Sequence, residues 1–335
     1  MSAIIAVMNH KGGVGKTTTT LNMASAFAAG AKSVLIIDMD PQSNAATGLG
    51  LDAKSISKGS YELVLGDAKI PDVALETDLP NVSLIPATFQ LAALSSVSPD
   101  EEDPEFWLRE SLQEDATEYD YILIDCPPSF GILSLNALVA AQKVIVPVQS
   151  ESFAIAGLQQ MEKSINDIRL EAEHDLDFRI LMTLSDQNQK LHKLVNQEVR
   201  AHFKEQVFET SIPVEPKIAE SAFLGRPVVV HSPNVRGAQS YVRACAECMQ
   251  WIEGGERLSH QQAIVNGLKQ WLNDDSITAA NEPVHLDDQP IAPSHSPAHP
   301  IHVESEPNSF RIGIRNGVIL ALALTAGMAL AFLGM

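Results

Sequence analysis

The 335-residue chain is short of cysteine, aromatic residues and positive charge. Its three cysteines, Cys126, Cys245 and Cys248, form no even, regularly spaced set, which excludes a disulfide-stapled secreted scaffold and points to a reducing compartment. Cys126 alone makes no iron–sulfur site. Lysine and arginine total 23 against 42 aspartates and glutamates, a net charge of -19 that argues against an extended electropositive nucleic-acid surface. The deficit extends through residues 1–257, which hold 20 basic and 35 acidic residues. Neither a basic start nor a cleavage site accompanies the run Met1 to Val7, so it reads as a buried strand rather than a signal peptide, and the main domain is expected in the cytoplasm.

An apolar fraction of 45% is enough to fill a large core. Ala3 to Met8 is a short apolar run, Lys16 to Ala28 reads as a helix, and Ser33 to Ile37 is apolar again before Asp38 and Asp40, giving a β-loop-α-β start. Tyr121 to Ile124, Lys143 to Val148 and Phe178 to Met182 repeat the strand pattern, with helix-length segments Leu133 to Ala141 and Ala154 to Ile168 between them. Runs that are apolar on both faces suit parallel strands covered by helices on each side. Gln239 to Ile252 reads as a closing helix and Ala263 to Leu272 as a short helical pattern. Asp52 to Glu118, with five prolines and the acidic cluster Asp100 to Asp103, reads as a solvated loop or a partner surface. Asp274 to Ser309 is rich in proline and poor in large apolar residues, which describes a tether; His285, His295, His299 and His302 within it lack the preformed spacing of a metal site.

Chemistry concentrates in Lys11-Gly12-Gly13-Val14-Gly15-Lys16-Thr17-Thr18. A glycine-rich loop between a strand and a helix aims backbone amides and a helix N-terminus at one phosphate. Gly12, Gly13 and Gly15 permit the wrap, Lys16 reaches the β- and γ-phosphates, the Thr17 hydroxyl ligates Mg²⁺, and Thr18 lies near the α-phosphate. His10 stands where the ordinary loop begins with glycine, and Lys11 where no lysine is required. Asp125, ending an apolar run, is expected in the Mg²⁺ shell, with Asp38 supporting that shell and the loop. Asp40 is the candidate for orienting the attacking water or taking its proton. ATP and Mg²⁺ are the expected cofactors.

Three motifs in this order, the loop above, Asp38-Met39-Asp40-Pro41-Gln42, and Ile124-Asp125-Cys126-Pro127-Pro128-Ser129, resemble the ParA group of partition ATPases, relatives of the MinD cell-division ATPases. The resemblance runs over about residues 1 to 253. It implies an α/β P-loop NTPase with a mostly parallel sheet covered by helices on both faces. It also implies that Lys11 is the signature lysine that crosses an ATP-sandwich homodimer, that Asp40 positions water, and that a partner protein stimulates hydrolysis. The chain departs from the family at Val214-Glu215-Pro216-Lys217, where one of two DNA-contacting arginines is replaced by Val214. Between Gln187 and Arg243 eight basic residues meet five glutamates, so a modest basic face is left, with Lys190, Lys193, Lys217, Arg236 and Arg243 as candidates for weak, non-specific DNA binding.

Gly317 to Met335 is a run of 19 uncharged residues, about 28 Å long as a helix and close to a bilayer core of roughly 30 Å, with Arg311 and Arg315 before it. The expected division is 1–257 ATPase domain, 258–315 polar tether and 316–335 transmembrane helix, a single-pass C-terminal anchor in the inner membrane. A buried or self-associating helix and one lying in the interface are the alternatives. Three functions follow: a membrane-tethered positioning ATPase, a nucleoid-binding plasmid or chromosome partition ATPase, or an ATP-switched regulatory module of a membrane complex.

Overall fold

The computed structural model describes residues 2–96, 102–115 and 118–274. At its centre lie seven strands: β1 (Ala3–Val7), β2 (Val34–Asp38), β3 (Leu75–Glu76), β4 (Val82–Ile85), β5 (Tyr121–Asp125), β6 (Lys143–Gln149) and β7 (Asp177–Thr183). They are ordered β3-β4-β2-β5-β1-β6-β7. All neighbours are parallel except β3, which runs antiparallel to β4. β2 and β5 are buried at every residue, as strands covered on both faces must be, and this explains why their sequences show no alternation. β3 and β4 fall in the segment that reads as loop. Four residues containing Ser83, between Pro80 and Pro86, are too short to show a period.

Twelve helices are described. α1 (Lys16–Ala29), α2 (Asn44–Gly48), α3 (Ser60–Val64), α4 (Ile70–Val73), α5 (Trp107–Asp115) and α6 (Ile132–Ala140) belong to the first half. α7 (Ala154–Glu171), α8 (Lys190–Phe203), α9 (Pro216–Phe223), α10 (Val228–His231), α11 (Arg236–Glu253) and α12 (Arg257–Leu272) follow. α1 is buried along nearly its whole length, since α11 and α12 cover the side that the sheet does not. Its polar side chains stay satisfied by bonding back along the helix: Thr20 donates to the Lys16 carbonyl at 3.1 Å, Asn22 to Thr18 at 2.8 Å and Ser25 to Leu21 at 2.8 Å.

The packed core takes in residues beyond 257. α12 buries Ile264, Leu268 and Trp271 in the same core as α1. Gly267 lets the two helices meet, for a Cβ there would stand 1.7 Å from the Ala29 carbonyl oxygen. Ile264, Leu268 and Trp271 recur at helical spacing, but one apolar stripe between polar residues does not reveal that it faces another helix. The expected span at 316–335 and the tether beyond Asp274 lie outside the described residues. Among the described residues no helix is long and apolar enough to cross a membrane.

Trp271→Ala is expected to cost about 3–5 kcal/mol and Gly267→Ala about 1–3 kcal/mol in urea denaturation of residues 1–274. Residues 1–257 are expected to unfold at lower urea than residues 1–274, and equal midpoints would show that α12 contributes nothing to the fold.

Candidate active site

β1, β5 and β2 deliver their C-terminal ends to one edge of the sheet, the edge at which open α/β sheets bind ligands. Val7 pairs with Asp125 and Asp125 with Asp38, so the loop after β1 lies over two carboxylates on adjacent strands. Within that loop Gly13 and Gly15 take φ of 75° and 88°, a left-handed backbone that a side chain would strain. No atom lies within 4 Å of where a Cβ would stand on Gly12, Gly13 or Gly15, leaving open space above the loop amides. The loop is braced from both sides. Asn9 donates to the Pro147 carbonyl at 2.7 Å and accepts the Lys11 N–H at 3.0 Å, while the Thr183 hydroxyl donates to the Val14 carbonyl at 2.8 Å.

Lys16 is buried, and its ammonium donates to the Lys11 carbonyl at 3.1 Å. Burial lowers its pKa, against the pull of Asp125, Cys126 and Asp40. The fully buried Asp125 has its pKa pushed up to about 7, chiefly by burial, although the Thr17 and Thr20 hydroxyls hold the ionised form. Thr20 donates to Asp125 Oδ1 at 3.2 Å, whereas Oδ2 is buried without a hydrogen-bond partner. Asp38 accepts the N–H of Asp40 at 2.9 Å on one oxygen and that of Ala45 at 3.1 Å on the other. Burial and the neighbouring Asp125 nevertheless hold its pKa well above the usual carboxylate range. Asp40 accepts the Gln42 N–H at 3.0 Å and shares a cleft of about 510 Å³ with Gly12, Gly13, Gly15, Lys16, Thr17 and Thr18.

The fold therefore gathers most of the residues singled out from sequence. Gly12, Gly13, Gly15, Lys16, Thr17, Thr18 and Asp40 line the cleft. Asp38 and Asp125 are buried at the strand ends beneath it, and Val14 is buried behind the loop. Lys11 is elsewhere. It lines a neighbouring groove and pairs with Glu151 at 2.5 Å. Sequence reasoning missed Thr20, Thr183 and the α9 wall of the cleft, Ile218, Ser221 and Ala222. Thr20 was within reach, for it lies three residues after Thr17 on one helix face. Thr183 and α9 are distant in sequence and carry no local signal.

These residues fit a magnesium nucleotide. A buried, unpartnered carboxylate oxygen beside a threonine hydroxyl offers the hard oxygen donors Mg²⁺ prefers, and the left-handed glycine loop at a helix N-terminus offers amides to a phosphate. Fold and loop together define a P-loop ATPase. A family model described as an AAA domain matches residues 2–178. Over 248 residues, 74% of this chain and 88% of the relative, the sequence is 39% identical to the chromosome partitioning protein ParA of Myxococcus xanthus. Over 251 residues it is 38% identical to the sporulation initiation inhibitor protein Soj of Bacillus subtilis, with 74% of this chain and 98% of that protein covered. Among solved structures, cobyrinic acid a,c-diamide synthase from Mycobacterium smegmatis with bound ADP and magnesium matches with a TM-score of 0.66 and 31% identity, over 76% of this chain and 97% of that one. The chain belongs to the ParA/MinD superfamily of P-loop ATPases, the partition ATPases with a deviant Walker-A loop. It is an ATP-hydrolysing enzyme that works with Mg²⁺.

The raised pKa of Asp125 makes the nucleotide-free fold sensitive to pH. The folded state binds this proton more tightly than the unfolded chain, whose value is near 3.8, so stability is lost as pH rises from about 4 to about 7 and stays lost above. Asp125→Asn removes that loss. It is expected to be more stable than wild type by on the order of 1–4 kcal/mol at pH 8, with little difference at pH 4, while Mg²⁺-dependent hydrolysis disappears. Thermal unfolding at both pH values checks this, and an unchanged wild-type pH dependence in the variant would refute the assignment.

Proposed function

We propose that the chain is a plasmid or chromosome partition ATPase that cycles between an ATP-bound homodimer and released monomers. The observation that carries this reading is the position of Lys11, turned out of its own nucleotide cleft and onto Glu151. A lysine so placed does not serve its own phosphates, and the family resemblance gives it those of a second copy.

Within one protomer the loop amides of Gly12, Gly13, Val14 and Gly15 and the Lys16 ammonium hold the β- and γ-phosphates, with Thr18 near the α-phosphate. Thr17 and Asp125 hold Mg²⁺, and Asp38, whose two oxygens grip Asp40 and Ala45, fixes the loop from which Asp40 acts. When bound, the ion neutralises charge on the phosphate oxygens. Asp40 orients the attacking water and accepts its proton as the bond from γ-phosphorus to ADP breaks. A lone protomer lacks the second lysine, so turnover is slow until an activating partner protein engages the dimer. Phosphate release from residues 1–274 is expected below the usual enzyme range of about 1 to 10³ per second, and absent in Lys16→Ala. Wild-type activity in that variant would move the site elsewhere.

DNA is the partner that the relatives' names suggest, and the chain's charge makes its grip weak. Lys217 is paired with Glu220 at 2.7 Å and Val214 is exposed beside it, whereas Lys193 and Arg243 share a polar cleft with Arg200 and Arg257. Binding is expected to be independent of sequence and to fall steeply between 50 and 200 mM salt, as roughly one counterion is released per phosphate contact. Filter binding with the ATP-locked Asp40→Ala protein measures this, and salt-insensitive binding would contradict it.

A second reading, membrane tethering, rests on the uncharged run Gly317 to Met335. On that reading the full-length protein resists carbonate extraction and residues 1–274 do not. Release of the full-length protein by salt alone would overturn the tether and leave partition on DNA in first place.

A further inference from the structure

His10 stands where the ordinary phosphate loop begins with glycine, and holding the nucleotide gives it no task. Its ring is half-buried, and Nε2 is buried without a hydrogen-bond partner. Burial and the nearby Lys16 ammonium lower its pKa, so the imidazole is neutral at physiological pH. An unmet buried nitrogen weakens a fold, so stability does not explain a histidine here. What the ring touches is Phe130, with centroids 5.1 Å apart and planes inclined at 58°, within the range of favourable aromatic pairs. Phe130 belongs to residues 126–131, the loop that leaves Asp125 and leads into α6. The Cys126 N–H ties this loop to the Val7 carbonyl on β1 at 3.2 Å, and the Ser134 hydroxyl on α6 donates to the Ser129 carbonyl at 2.5 Å. Between those ties Pro128 is exposed and forms part of the wall of the nucleotide cleft.

We propose that His10 is a positioning residue for ATP hydrolysis: its ring seats Phe130 and so fixes residues 126–131 against the phosphate loop within one protomer. The aromatic contact adds a tie to the phosphate loop to those made with β1 and α6. Pro128 then meets the nucleotide from a fixed position, and the cleft wall needs no rearrangement as charge develops on the phosphate. Glycine at position 10, as in the ordinary loop, has no side chain to supply this contact. The face of the ring does the work and the nitrogen does not. His10 therefore acts through Phe130 rather than on the nucleotide, in keeping with its place outside the residues that line the cleft.

The test follows phosphate release by the full-length protein over a range of MgATP, with thermal melting in parallel. The variants are His10→Ala, His10→Gln, His10→Phe, Phe130→Ala and the double change His10→Ala with Phe130→Ala. His10→Ala and His10→Gln are expected to lower kcat about 2- to 10-fold, the weight of one aromatic pair. KM for MgATP is expected to stay unchanged, because the loop amides and Lys16 still hold the phosphates. His10→Phe keeps a ring and drops the unmet nitrogen, so it is expected to retain wild-type kcat and to melt no lower than wild type. Phe130→Ala is expected to match His10→Ala, and the double variant to be no slower than either, since both remove the same contact. Wild-type kcat in His10→Ala overturns the proposal, as does a folded His10→Phe that is as slow as His10→Ala. If His10→Phe does not fold, the double variant decides: losses that multiply show two residues acting independently and overturn the seat, whereas losses that do not multiply uphold it.

Discussion

The site depends on an imbalance of buried charge. Two carboxylates, Asp38 and Asp125, end adjacent strands with no exposure to solvent, and one buried ammonium, Lys16, stands near them. Burial raises both acids and lowers the base, so each group is held away from its comfortable charge state. Such an arrangement favours a divalent cation against the carboxylates and a polyanion against the lysine and loop amides. Magnesium and a triphosphate supply that pair of charges. The braces from Asn9, Thr20 and Thr183 keep these groups in place against their own electrostatics.

Much of this was legible because parallel strands buried on both faces announce themselves as continuous apolar runs, and because a phosphate loop is local. Val34 to Asp38 and Tyr121 to Asp125 read as strands ending in acids, and the sheet places those acids side by side. The β-branched, glycine and threonine pattern around Lys16 needs no distant partner to be recognised. What stayed hidden is tertiary. β4 is short and bounded by prolines, the α9 wall is some two hundred residues from the loop it faces, and the burial of α12 depends on a glycine meeting the carbonyl of Ala29. Lys11 was visible as a departure from the ordinary loop pattern, but only the structure shows that it leaves its own cleft for Glu151.

The sheet divides the labour between its two halves. Strands β1, β2 and β5 carry the groups proposed to handle phosphate and magnesium, while β6 and the loop after it carry the partner of Lys11. α11 and α12 seal α1 from behind, so the helix that opens the phosphate site is held by the sheet on one side and two helices on the other.

The central claim is that Lys11 completes the site of a second copy. Mixing two inactive variants tests it most directly: Lys11→Ala keeps its own site but has no lysine to give, and Asp40→Ala gives its lysine but has no carboxylate for water. The account predicts that each alone releases little phosphate and that their mixture regains part of wild-type hydrolysis, rising and falling with the mixing ratio. A mixture as inactive as its components at every ratio, or a Lys11→Ala protein that hydrolyses ATP at the wild-type rate, would contradict it.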